Sequence, residues 1–159
     1  CQVPWYFLLL QGALGIFVWT FNEYTLHRFV FHWVPPGPWG ERFHFIIHGC
    51  HHKWYNDPYR LVMPPAAGLT IAAIYFGLFT LIGTLLAPLV APTWVYTVFA
   101  GKVATYIYYD LTHYSMHHGK QKSRRAKRLR AHHMNHHFNN TDRKYGFITT
   151  FWDRVFRTM

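Results

Sequence analysis

Two stretches of the chain carry no charged residue, Cys1–Asn22 and Leu61–Gly101, and the segments between and after them are dense in His, Lys and Arg. A helix that crosses a bilayer needs about 20 consecutive apolar residues. The first stretch therefore predicts one span, near residues 3–21. The second is long enough for two, near 66–87 and 93–109, with Pro88 and Pro92 marking the turn between them. A buried core helix of a soluble protein is the competing explanation, and so long an uncharged run argues against it.

Composition sharpens this picture. Charged residues make up 14% of the 159 and aromatic residues 20%, against about 25% charged in an ordinary soluble domain. That excludes a disordered tail and a conventional water-soluble globule. With a hairpin of spans two and three, all 13 histidines and every Lys and Arg except Lys102 fall on one side of the membrane. By the positive-inside rule that side is cytoplasmic. The predicted fold class is an all-α integral membrane protein, with three transmembrane helices here and four in a full protein. A cytoplasmic helical cap, built from the His-rich parts 22–60 and 110–159, holds a dimetal centre, and residues 1–159 form one catalytic domain. A chain that starts at Cys1 rather than Met reads as a piece of a longer protein without a secretory signal. Cys1 and Cys50 lie on opposite sides and do not pair, and Cys50 reads as a free thiol. Lys102, in the middle of a span, has no ready explanation.

The histidines recur as His27-x4-His32, His48-x2-His51-His52, His113-x3-His117 and His133-x2-His136-His137. Residues three and four apart share a helix face, so each three-histidine set is expected to converge three imidazoles. His27 and His32 stand about 140° apart around an α-helix, so they straddle one site or serve two ions. These ten nitrogens exceed what one ion accepts, and two ions can share them. Imidazole suits Fe, Zn, Cu and Ni alike. His44, His118 and His132 are left out as surface or supporting residues, and a merely solvated His-rich surface would not need helical spacing. Glu23, four before His27, and Asp110, three before His113, are placed to accept the other ring N–H of those histidines. Tyr109 and Asp110 could instead border a substrate, or Tyr109 could anchor the span at the interface. The run Lys120–Arg130 carries seven positive charges, read as attraction to anionic lipid headgroups rather than to nucleic acid.

Neutral histidines around two metals suggest oxygen chemistry on a lipid more than hydrolysis, for which bridging carboxylates are few. The segments Glu23-Tyr24-x2-His27-Arg28-Phe29-Val30-Phe31-His32, His48-Gly49-Cys50-His51-His52-Lys53, Tyr59-Arg60-Leu61-Val62-Met63-Pro64-Pro65, Tyr109-Asp110-x2-His113-Tyr114, His133-x2-His136-His137-Phe138 and Gly146-Phe147-x3-Phe151-Trp152-Asp153-x2-Phe156 resemble the fatty acid 2-hydroxylase family. The resemblance implies an endoplasmic-reticulum enzyme with two Fe ions, found as Zn in some purified protein. It implies O2-dependent hydroxylation at carbon 2 of a fatty acyl chain, commonly in ceramide. Carried over motif by motif, the ligands are His27, His32, His48, His51, His52, His113, His117, His133, His136 and His137. Many members carry a cytochrome b5 domain, and nothing here resembles its haem-binding motif. Electrons are therefore expected from a separate cytochrome b5-type donor and its reductase, or from an upstream portion of a longer protein. A sterol or carotenoid hydroxylase, and a non-enzymatic membrane metal-binding protein, are the alternatives.

Overall fold

The structure, a computed structural model, describes residues 4–89 and 94–159. These form helices and turns, with no strand among the described residues. The helices are α1 (Trp5–Leu26), α2 (Pro38–His44), α3 (Cys50–Lys53), α4 (Pro65–Leu86), α5 (Trp94–His118), α6 (Arg124–Phe138) and α7 (Phe151–Val155). Two five-residue π-helical turns interrupt the pattern. One continues α1 through His27–Phe31, and the other joins α2 to α3 through Phe45–Gly49.

The chain gathers into two compact units. The first takes the N-terminal segment through Trp19 together with Met63–Tyr108. Its helices pack through small residues. A Cβ added at Gly15 would lie 2.2 Å from the Val98 carbonyl oxygen, and one at Gly101 would lie 2.5 Å from the Gly12 carbonyl oxygen. Only glycine permits this backbone approach, as at helix crossings inside bilayers. The core of this unit is small, Phe79, Val95 and Val98, flanked by Val18, Tyr75, Trp94 and Phe99. Most of its large apolar side chains, among them Leu9, Leu10, Leu69, Ile74 and Leu85, face outward.

Two helical stretches, Trp5–Phe31 and Pro58–Leu86, are long and apolar enough to cross a membrane, and 17% and 11% of their most apolar windows are buried. The core helix of a soluble globule would be mostly buried. The third expected span behaves differently. It does not end at Tyr109: α5 runs unbroken past Asp110 to His118, and among the described residues it is less apolar than those two stretches. Ala87–Leu89 form a turn, as expected there, while residues 90–93 lie outside the described residues. Lys102 is 4% exposed, with its Nζ 3.6 Å from the centre of the Tyr75 ring and 5.2 Å from that of Trp19. The ring faces carry negative quadrupole charge, which holds an ammonium that pairs with no carboxylate among the described residues.

The second unit, Thr20–Val62 with Tyr109–Met159, inverts this arrangement. It buries Glu23, Tyr24, eight histidines and Asp153. Its C-terminal segment folds back on α1. Trp152 Nε1 donates to Thr20 Oγ1 at 3.0 Å, Tyr24 Oη and Thr158 Oγ1 are 3.0 Å apart, and the Tyr24 and Phe156 rings stack at 5.2 Å.

Candidate metal centre

Ten histidines meet in this unit, in two sets of five. His27, His32, His48, His52 and His136 form one, and His51, His113, His117, His133 and His137 form the other. Within each set the ring nitrogens lie within 4.8 Å of one another. The division corrects the expected grouping. The pairs four apart stay together, His48 with His52, His113 with His117 and His133 with His137, because one helical turn stacks them. The third member of each H-x-x-H-H motif crosses to the other set: His51 leaves His48, and His136 leaves His133. Each motif thus serves both sites. His27 and His32 serve one site, not two. The π-turn is the reason: its five-residue repeat, seen in the His32 N–H donating to the His27 carbonyl at 3.2 Å, brings residues five apart into register, where an α-helix would separate them.

The two sets share a plan. In the first, His27, His48, His52 and His136 close a ring of four, neighbours 4.6–5.0 Å apart between centroids. His32 lies against all four, at 4.8–5.0 Å. In the second, His51, His113, His133 and His137 close the ring at 4.5–4.8 Å, and His117 lies against all four at 4.8–5.0 Å. His52 and His137 stack at 4.3 Å, linking the sets.

The ring nitrogens identify what fits between them. His27 Nδ1 lies 2.7 Å from the Tyr145 carbonyl, and His136 Nδ1 lies 2.6 Å from that of Arg143. A carbonyl only accepts, so both Nδ1 atoms donate and each Nε2 presents a lone pair. His32 Nε2 lies 3.0 Å from one of these lone pairs and 3.2 Å from the other, and has at most one proton to offer. In the second set, His133 Nε2 has the Nε2 atoms of His113, His117 and His137 at 3.1, 2.7 and 3.1 Å. Both buried ring nitrogens of His51 lack a hydrogen-bond partner. Converging lone pairs are a cation's environment. Two ligands at right angles about 2.0–2.1 Å from a transition metal stand about 3 Å apart, the spacing seen here. The residues present therefore fit a metal in each set.

Burial keeps these imidazoles neutral. It holds His32 and His51 down at about 3 and His52 at about 2, with neighbouring imidazoles adding to the effect. Burial likewise lowers His117 and His136 to about 4 and holds His48 and His133 well below the usual histidine range.

The loop between α6 and α7 supplies what the helices do not. Asp153 Oδ1 and Oδ2 accept from the amides of Tyr145 and Gly146, each at 2.9 Å, and Glu23 Oε1 accepts from those of Phe147 and, at 3.1 Å, Ile148. So clamped, the loop delivers its carbonyls to His27 and His136. Lys144 takes a left-handed φ of 65° at the bend, a strained choice for a side chain of its size. Phe147, fully buried, sets its ring 4.6 Å from His27, 4.8 Å from His113 and 4.5 Å from His133. It touches both sets.

Several expectations change here. Glu23 does not accept from His27; the Tyr145 carbonyl takes that N–H, because the clamped loop lies closer. Asp110 is half-buried and makes no hydrogen bond to a histidine among the described residues. Tyr109 stacks on Phe147 at 5.3 Å and His113 at 5.9 Å. His132, set aside, is buried and bonds Asp153 Oδ2 at 3.1 Å. His118 is exposed, and His44 sits 6.4 Å from the His32 ring, in neither set. Cys50 is a free thiol bonded to the Ile46 carbonyl. Asp153 and Phe147 stood in the closing motif, but their roles depend on backbone amides that no residue pattern reveals.

A family model described as fatty acid hydroxylase matches residues 12–158. A dihydroceramide fatty acyl 2-hydroxylase of Arabidopsis thaliana is 42% identical over 147 residues, 92% of this chain and 59% of its own length. A ceramide very long chain fatty acid hydroxylase of Schizosaccharomyces pombe is 38% identical over 98% of this chain and 44% of its own. A fatty acid 2-hydroxylase of Homo sapiens is 40% identical over 92% of this chain and 38% of its own. The chain thus spans well under two thirds of these relatives. Among solved structures, full-length scs7p, of which only the hydroxylase domain is visible, superposes with a TM-score of 0.87 at 37% identity. The match covers 99% of this chain and 58% of that one.

Proposed function

The chain belongs to the fatty acid hydroxylase family, and from that premise we propose that it replaces a C–H bond at carbon 2 of a fatty acyl chain, in ceramide or a related sphingolipid, with C–OH. The observation that carries this reading is the pair of five-histidine sets with converging Nε2 atoms. His27, His32, His48, His52 and His136 would hold one ion, and His51, His113, His117, His133 and His137 the other. Bound iron would supply the redox chemistry that activates O2. The balance needs two electrons and two protons from outside: one oxygen atom enters the product and the other leaves as water. A cytochrome b5-type donor and its reductase would provide the electrons.

The protein's own residues do the positioning. The Tyr145 and Arg143 carbonyls hold His27 and His136 in the tautomer that keeps Nε2 unprotonated. Phe147, Tyr109 and Tyr145 wall one side of the centre with rings, while His32 and His52 face a cavity of about 450 Å³. Five neutral imidazoles around each ion would leave its formal charge uncompensated.

The two long apolar helices support a membrane protein; α5 would be its third span, and the endoplasmic reticulum is what the family resemblance implies. The near absence of Lys and Arg outside the His-rich parts supports a cytosolic centre. Residues 1–159 would act as one catalytic domain. The test is mass spectrometry of sphingolipid acyl chains from cells expressing the chain, with His136→Ala as control. 2-Hydroxy acyl chains made by the parent and not the variant are expected. A hydroxyl elsewhere, or on a sterol, would overturn the position or the substrate.

A further inference from the structure

A cavity of about 600 Å³ lies in the histidine-bearing unit, apart from both histidine sets. Arg124, Arg125 and Arg128 of α6, Arg154 of α7, and Thr149 and Thr150 line it. Among the described residues no Asp or Glu carboxylate comes within 4.0 Å of these four guanidinium groups. Arg125 is tethered by donating to the Ile148 carbonyl at 3.1 Å. The first turn of α6 adds to the imbalance, since it carries basic and no acidic residues at the positive end of the helix dipole. Four like charges around one concavity repel one another unless an anion joins them.

We propose that this cavity binds a phosphoryl group. Each guanidinium offers a planar fork that matches phosphate oxygens two at a time, and the threonine hydroxyls add single donors. A group of more than one negative charge balances four arginines better than a lone carboxylate. The volume is that of a small-molecule site, which favours a compact group over the flat face of an acidic protein. The phosphoryl group is a lipid headgroup or a soluble phosphate. His132, in the cavity wall, hydrogen-bonds Asp153, which also holds the amides of Tyr145 and Gly146. An occupant would therefore rest against the support of the metal centre without touching it.

The test is calorimetric titration of the metal-loaded chain in neutral detergent micelles at about 0.15 M salt, where diffuse attraction is screened beyond about 8 Å. The probes are inorganic phosphate and dihexanoyl phosphatidic acid. Saturable one-to-one binding is expected, weakened about tenfold or more by the double variant Arg128→Gln/Arg154→Gln. It should be retained in Lys120→Gln/Lys122→Gln, which removes the same charge away from the cavity. Binding of phosphatidic acid alone assigns a lipid headgroup, and binding of both assigns the phosphoryl group itself. Equal loss in the two double variants would reduce the site to a diffuse basic surface. Absence of saturable binding by either probe would overturn it, as would arginine-dependent binding of polyglutamate alone. Unchanged metal content in the variants shows that the fold is intact.

Discussion

The two units of this protein solve the packing problem in opposite ways. The first turns leucines and isoleucines outward and brings its helices together over Gly12, Gly15 and Gly101. The second turns histidines and carboxylates inward and ties them to backbone amides and carbonyls. The contrast follows from the solvent each is built for. In lipid, exposing apolar surface costs nothing, so close van der Waals contact is what remains to hold helices. In the polar unit, buried imidazoles are stable only if every lone pair has a partner, which two cations would provide.

Perturbing each unit should therefore give different signatures. The largest effect is expected from His133→Ala, which removes the nitrogen nearest three others. Metal per chain should fall from two towards one, and product by at least about 100-fold, since even outer partners of metal ligands are worth 10–100-fold. Two ions retained would break the assignment of that set.

Acid comes next. Above about pH 6.5 the histidines are neutral folded or unfolded, so stability is level. Below it the unfolded chain binds protons that folded His51 and His32 refuse until about pH 3 and folded His136 until about 4. Metal-free protein should lose up to about 1.4 kcal/mol per pH unit for each such histidine. Thermal melts across that window check this, and a level profile down to pH 5 would contradict it.

Glu23→Gln should weaken metal binding by about 10-fold or more by slackening the Phe147–Ile148 loop while the helical content stays. A competitive chelator titration measures it. A change confined to the first unit should do the reverse. Gly15→Leu would force α1 away from Val98 and cost about 1–3 kcal/mol, yet each folded chain should still hold two metals. Loss of metal at equal folding would show that the two kinds of packing are not separable. The smallest effect is expected from Lys102→Met. The lost cation–π attraction, about 0.5–2 kcal/mol, is offset by no longer burying a charge, so melting point and metal content should change little.

Much of this was legible in the residues. Uncharged runs marked α1 and α4 because hydropathy is a local property, and the ten histidines stood apart by spacing that an α-turn makes meaningful. The partition of those histidines was not legible, because His51 and His136 are committed by which neighbours face them across the unit. The joining of His27 and His32 was hidden by a π-turn that no residue preference announces. Glu23 shows the limit most clearly. Its position predicted a histidine partner, while the fold placed two amides of a loop more than a hundred residues away against it. The sequence alone determined which groups bury badly in oil and which ligands are present, since those are properties of side chains. Only the tertiary structure decided which lone pairs meet, because hydrogen bonds and coordination depend on angles and on distances of about 3 Å.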